Sequence, residues 1–117
     1  MKKSLTVPIY ERRLHFVDSW AEYDRLLKRL RTQRQQYHAD LQEPEDPELP
    51  TYGAVEMGYN EIVMCVVDGK LETVVHEAVH VATAVLAYGG VDAGLENDEP
   101  IAYLAGWVFQ QWQEKMG

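Results

Sequence analysis

Residues 73–83 read TVVHEAVHVAT, a mostly apolar segment that carries His76 and His80 four positions apart and Glu77 directly after the first histidine. An α-helix has about 3.6 residues per turn, so both imidazoles would project from one face, about one turn apart. A pair of glycines supplies a stop signal at the end of the apolar pattern. The segment therefore predicts a helix over Leu71–Tyr88 with three polar groups on an apolar background.

Two interpretations of these polar groups are open. Two imidazole nitrogens at this spacing can reach one tetrahedral ion at about 2 Å each, and Glu77, displaced around the helix, can then touch a metal-bound water. Zinc lowers the pKa of such a water toward about 7, and a carboxylate can remove its proton, which makes Glu77 the predicted general base. The alternative is a core helix whose histidines have hydrogen-bond partners. Burying Glu77 unpaired would be costly, and this favours the metal.

A zinc site of this kind needs a third protein ligand, and the candidate is acidic and downstream. Glu99 follows His80 after 18 intervening residues and begins a predicted last helix over residues 99–115. Glu96 is the rival, but it falls in the loop before that helix. Glu99 is therefore the better candidate for the third ligand beside His76 and His80.

The other elements are predicted from local signals. Ser19, with Glu22 three positions later, forms a capping box before a helix from about Trp20 to Gln36. The apolar run EIVMCVV, residues 61–67, predicts a central strand, and TYGAVEM, residues 51–57, predicts an edge strand joined to it by a tight hairpin. Two short strands are predicted near residues 4–10 and 12–18, and an exposed acidic loop over residues 39–50.

The charge is segregated along the chain. The net charge is -8, but residues 1–34 carry nine lysines and arginines against four acidic residues, whereas residues 35–117 carry two against fifteen. The larger part would repel phosphate, which argues against nucleic-acid binding as the main function. The basic run RLLKRLRTQR is predicted to be the solvated face of the first helix.

Length and composition predict one domain over residues 1–117. No run of 18 apolar residues occurs, so no membrane span is expected. The first residues, MKKSLTVPIYERR, lack the apolar segment of a signal peptide. Cys65 is the single cysteine, which excludes an internal disulfide and a site built on several thiolates, and it fits a reducing cytoplasm.

The pattern His76-Glu77-x-x-His80-x18-Glu99 resembles the signature of the gluzincin zinc metallopeptidases, in the spacing of aminopeptidase N-like enzymes and nearly that of thermolysin. The resemblance implies that the two histidines and the distant glutamate bind zinc and that Glu77 is the base. The order helix, hairpin, active-site helix, loop and glutamate helix also resembles the minigluzincins, which are about this size. HEAVHVA followed by NDEPIAYLAGW is similar to short HExxH proteins of phages and prophages.

This resemblance covers about residues 51–112 and implies an α+β fold. The implied fold is a minimal zincin-like domain, with a small antiparallel sheet packed on an active-site helix and a glutamate helix. Thermolysin-like enzymes carry an aspartate four positions after the ligand glutamate, where this chain has Tyr103, whose hydroxyl either orients His76 or packs. No downstream histidine is present to stabilise the oxyanion, so that role falls to backbone amides or to a tyrosine. The candidate tyrosines are Tyr59, Tyr88 and Tyr103.

Three functions from different classes follow from these features. The first is a zinc-dependent peptidase whose peptide or protein substrate lies extended along the edge strand, with Glu77 passing the proton of water to the leaving amine. The second is a catalytically weak or inactive zinc-binding accessory protein of a phage or prophage that acts as a protein-binding module. A complete set of ligands with a base favours the enzyme, because a structural zinc site closes with a fourth protein ligand. The third function is nucleic-acid binding through Arg25, Lys28, Arg29, Arg31 and Arg34.

Overall fold

The computed structural model describes residues 1–37, 52–58, 60–91 and 98–117, with the backbone alone for residues 31–37. Helices α2 and α3 have the predicted bounds, α1 ends one residue later than predicted, and the α+β class is confirmed. The predicted acidic loop, residues 39–50, lies outside the described residues. The elements are β1 Lys2–Thr6, β2 Arg13–Val17, α1 Trp20–Tyr37, β3 Gly53–Met57, β4 Glu61–Val66, α2 Leu71–Tyr88 and α3 Glu99–Lys115.

The four strands form one sheet in the order β1-β2-β4-β3. β4 is therefore an inner strand and β3 an edge strand, as the sequence predicted. The prediction of an antiparallel sheet is wrong in one pairing, because β2 and β4 run parallel, with Val17 opposite Cys65. The cause is the long connection through α1, which can return the chain in the same direction, whereas the short β3–β4 hairpin cannot. The sheet is mixed.

Both faces of β4 are buried, which explains its unbroken apolar sequence. Ile62, Met64 and Val66 belong to a core formed with α2 and α3, whereas Val63 and Cys65 belong to a second core under α1. Burial raises the pKa of the Cys65 thiol to about 12. Cys65 is fully buried in the second core and packs there as a small apolar residue.

Helix α2 lies across the sheet through one apolar face. Val74, Ala78, Val81 and Val85 recur at helical spacing, and each is at most 1% exposed. This stripe turns the opposite side of α2 toward solvent and toward the edge strand β3. None of the described helices combines the length and the apolar character needed to cross a membrane.

Helix α3 packs beside α2. Trp112 and Val108 of α3 are buried, and the Trp112 ring lies 5.0 Å from that of Phe16 on β2. Leu71 and Val74, near the start of α2, line one cavity together with Trp112 near the end of α3. The two helices therefore run antiparallel. This direction decides where Glu99 lies.

Candidate metal and catalytic site

His76 and His80 lie side by side on the exposed face of α2. The Nε2 atoms of the two rings are 3.2 Å apart, and the rings meet edge to face with centroids 4.9 Å apart. The His76 side chain is 68% exposed, so the hypothesis of two buried core histidines is wrong. The helix spacing predicted from the sequence therefore brings both imidazoles to one point at the surface.

The spacing of the two nitrogens fits a shared ion. Two nitrogen ligands at about 2.0–2.1 Å from a tetrahedral zinc stand about 3.3 Å apart. The observed 3.2 Å lies close to that value. Two neutral imidazoles can also approach to this distance when one Nε2–H donates to the other ring. The pair is thus compatible with metal binding without rearrangement of the helix.

Glu77 is the buried member of the group. This residue is 6% exposed, and its Oε1 lies 3.9 Å from Nε2 of His76. Burial raises the pKa of the Glu77 carboxyl, and the nearby imidazoles of His80 and His76 act in the opposite direction. A carboxylate with a raised pKa beside two candidate metal-ligand nitrogens is suited to accepting a proton and releasing it again.

Gly53 allows β3 to approach α2 at Glu77. A Cβ at position 53 would lie 2.9 Å from Cγ of Glu77 and 2.9 Å from the carbonyl oxygen of Cys65. Real Cβ atoms do not reach such distances, so any larger residue must displace one of these neighbours. Glycine at position 53, which has no side chain, therefore allows the edge strand to lie against the Glu77 side chain.

Gly53→Ala is expected to destabilise the fold by about 1–3 kcal/mol, because the added methyl group overpacks the contacts with Glu77 and with the Cys65 carbonyl. The matched control is Gly106→Ala, since a Cβ at this α3 position meets no atom within 4 Å. Alanine should stabilise that helix position by about 1 kcal/mol. Urea unfolding of both variants measures the difference. Equal stabilisation of the two would show that β3 does not press on Glu77.

An open groove runs between β3 and α2. It has a volume of about 870 Å³, and its walls include the whole of β3 on one side and His76, Glu77 and His80 on the other. A second cavity of about 450 Å³ continues it past Tyr52 and shares His76 and Glu77 with it. The candidate catalytic group therefore lines both cavities of this channel, beside an edge strand of five residues.

The ladder of β3 and β4 fixes which backbone groups face this channel. The N–H of Gly58 donates to the carbonyl of Glu61, and the N–H of Val67 donates to that of Tyr52 at the other end. Hydrogen-bonded and non-hydrogen-bonded residue pairs alternate in an antiparallel ladder. The pairs Tyr52–Val67 and Gly58–Glu61 are both hydrogen-bonded, so every second residue between Tyr52 and Gly58 also bonds to β4. The residues whose N–H and C=O groups point away from β4, toward the open edge, are Gly53, Val55 and Met57.

In the described part of the chain, Glu99 does not form a metal-binding group with the histidine pair. It begins α3 and is exposed, and among the described residues no three His, Cys, Asp or Glu side chains are grouped to hold a metal ion. Thirteen helical residues, or about 20 Å, separate Glu99 from Trp112, which lies near the start of α2. Glu99 thus stays a prediction as the third ligand. Its rival, Glu96, lies outside the described residues.

The three tyrosines that are candidates to stabilise an oxyanion differ in where the structure places them. Tyr88 donates its hydroxyl to the carbonyl of Gly58 at 3.0 Å, about 12 Å along α2 from His80. Tyr103 is 77% exposed, and the described residues show no hydrogen bond from it to His76. Tyr59 lies outside the described residues. The side chain that the sequence reasoning missed is Tyr52, which lines the channel together with His76 and Glu77.

Gly53 was also missed as a site residue, although a glycine inside a predicted strand is a known signal of close backbone approach. No comparable signal marks Tyr52.

Comparison of the chain with protein-family models, with curated proteins and with solved structures finds no match.

Proposed function

We propose that this chain is a zinc-dependent metallopeptidase with a minimal zincin-like domain of the gluzincin type. The observation that carries the proposal is the placement of three groups. Two imidazole Nε2 atoms stand 3.2 Å apart, a buried carboxylate lies beside them, and an open strand edge faces all three. This combination supplies ligands, a base and a binding surface for an extended substrate.

His76 and His80 are the residues that would hold the zinc, and Glu99 is proposed as the third ligand. A bound zinc polarises a carbonyl group and lowers the pKa of water. With two histidines and one carboxylate, the donor set is that of catalytic zinc sites, which keep a position for substrate or water. A structural site would close with a fourth protein ligand.

Glu77 carries the proton in this proposal. Its carboxylate accepts a proton from the attacking water and delivers it to the nitrogen of the leaving amine. The burial that raises its pKa makes both transfers accessible, because a strongly acidic carboxylate would hold the proton too weakly to return it. The contact with Gly53 keeps the carboxylate at the channel wall.

The substrate is proposed to be an unfolded or extended peptide segment. The outward-facing N–H and C=O groups along β3 can pair with a peptide as an additional strand, and the main-chain hydrogen bonds require no particular sequence. Such a peptide passes directly over Glu77 and the histidines. The test of the proposed function is cleavage of a peptide library by zinc-loaded protein, with loss of cleavage after chelation.

Val55→Pro is expected to weaken peptide binding, because it removes an outward-facing donor that β4 does not use. The loss of one hydrogen bond predicts an affinity about fivefold to tenfold lower. Val55→Ala keeps the donor and removes only methyl groups, so it serves as the control. Fluorescence anisotropy with a labelled peptide measures both. Equal affinity in a folded Val55→Pro variant would place the peptide elsewhere.

A protein-binding module that keeps zinc is the second candidate. The observation that favours it is the open edge of β3, which binds extended peptides whether or not the bond is cleaved. The two candidates differ in one respect. A module binds a peptide and releases it intact when zinc is fully loaded.

A further inference from the structure

A partly buried hydrogen-bond chain, centred on His15, crosses the sheet on the face opposite α2. Ser4 Oγ lies 2.7 Å from His15 Nδ1, and His15 Nε2 lies 2.8 Å from Glu61 Oε1. His15 is 3% exposed, and burial lowers its pKa, which favours the neutral ring. A carboxylate only accepts, so Nε2 carries the proton and Nδ1 accepts from the Ser4 hydroxyl. The hydrogen bonds from Ser4 to His15 and from His15 to Glu61 therefore run in one direction.

The hydrogen-bond chain ends at Arg29 of α1. The Nη2 of Arg29 donates to the same Glu61 oxygen at 3.0 Å, which orients its guanidinium, and the described residues show no hydrogen bond from its other N–H groups. Side chains that are fixed in advance lose less entropy when they bind a ligand. Arg29 is therefore a pre-positioned donor at the surface of α1.

The held guanidinium lines a cavity between β1 and α1. This cavity has a volume of about 300 Å³, and three cations and one acid border it: Lys2, Arg25, Arg29 and Glu22. Glu22 Oε1 lies 3.1 Å from the amino group of Met1, whereas Glu22 Oε2 is buried and has no hydrogen-bond partner among the described residues. Within the described part of the chain, Lys2 and Arg25 have no hydrogen bond or ion pair. The cavity therefore presents excess positive charge.

Charge and geometry define what fits this cavity. Arg25 and Arg29 are four apart on α1, a like-charge pair that mildly destabilises a helix and whose repulsion an anion between them would reduce. Guanidinium groups bind oxyanions through paired N–H donors, and a lysine adds a compact charge. Counting Glu61, which is paired with Arg29, three cations face two acids and leave one positive charge, so a bound anion finds its unpaired donors on Lys2 and Arg25.

We propose that this cavity binds a phosphate group, as inorganic phosphate or a phosphate monoester, with Arg25 and Lys2 in direct contact and Arg29 positioned by Glu61. The site lies under α1, whereas the candidate metal site lies on α2, so the proposal stands whether or not the chain is a peptidase. It also gives the basic N-terminal segment a role other than a solvated helix face.

Isothermal titration calorimetry of the full chain with inorganic phosphate, at constant ionic strength, tests the proposal. We expect saturable binding of one phosphate per chain. Arg25→Gln should weaken it about tenfold or more, because one charge-assisted contact is lost. Glu22→Gln should tighten it by removing a repelling charge. The matched control is Lys28→Gln, which removes the same charge from the same helix at a residue that does not line the cavity.

Two further variants separate phosphate binding in this cavity from binding elsewhere on the chain. His80→Ala should leave phosphate affinity unchanged, and a loss there would assign the phosphate to the candidate metal site. Arg25→Lys keeps the charge without the paired donors and should give an intermediate affinity. The proposal is overturned if phosphate gives no saturable heat, if Lys28→Gln weakens binding as much as Arg25→Gln, or if acetate and succinate bind as tightly as phosphate.

Discussion

Replacing Glu77 by glutamine is expected to lower peptide hydrolysis by a factor of about 10²–10⁴, the usual loss when a general base is removed. Glutamine has nearly the size and polarity of glutamate, but it cannot accept the proton of water at neutral pH. Zinc content should stay near that of the wild type, because the proposed ligands are other residues. Initial rates on a cleaved library peptide, together with elemental analysis of each preparation, measure both quantities.

The control for this substitution is Glu114→Gln, which makes the same chemical change on α3, where Glu114 accepts a hydrogen bond from Gln110. Its hydrolysis rate should equal that of the wild type. Two results would contradict the assignment of Glu77. A Glu77→Gln variant as fast as wild type would mean that another residue is the base, and loss of zinc from it would mean that Glu77 is a ligand.

Replacing His80 by alanine is expected to abolish stoichiometric zinc binding and to lower the melting temperature of the zinc-loaded protein. A ligand present at about one hundred times its dissociation constant stabilises the folded state by about 2.7 kcal/mol. For a chain of this length the shift is about 10 °C. Differential scanning calorimetry with and without a chelator should show the shift in the wild type and not in the variant.

The same experiment decides between the two candidate third ligands. Glu99→Gln should lose zinc, whereas Glu96→Gln should retain it. The reverse outcome would transfer the role to Glu96. If both variants keep full zinc while His80→Ala loses it, the third ligand is neither of them. An unchanged melting curve and unchanged metal content in His80→Ala would instead show that the metal does not bind at this site.

Local signals in the sequence predict the bounds of the helices correctly to within one residue. The bounds of α2 follow from an apolar stripe at helical spacing and from the glycine pair after Tyr88, where Gly90 has a φ of 73°. The start of α1 follows from Ser19, whose Oγ accepts the Glu22 N–H at 3.3 Å. These features act over three or four residues, so a sequence pattern contains them. The strand β4 was equally clear, because residues buried on both faces must all be apolar.

Long-range geometry does not follow from the same patterns. Nothing in the apolar run of β4 says which strand lies on its other side, so the parallel partner β2 could not be named. The spacing to Glu99 counts residues along the chain, whereas the antiparallel packing of α3 on α2 decides the distance in space. The approach of Gly53 to Glu77 likewise depends on how far α2 lies from the sheet. In each case the deciding quantity is tertiary.

One measurement bears most strongly on the peptidase function: digestion of a broad peptide library by the zinc-loaded wild-type chain, with the products read by mass spectrometry. We predict cleavage that is lost on chelation, returns when zinc is restored and is absent in Glu77→Gln. If a chain with one zinc per molecule leaves every peptide in the library intact, the peptidase function is contradicted and the zinc-keeping binding module takes its place.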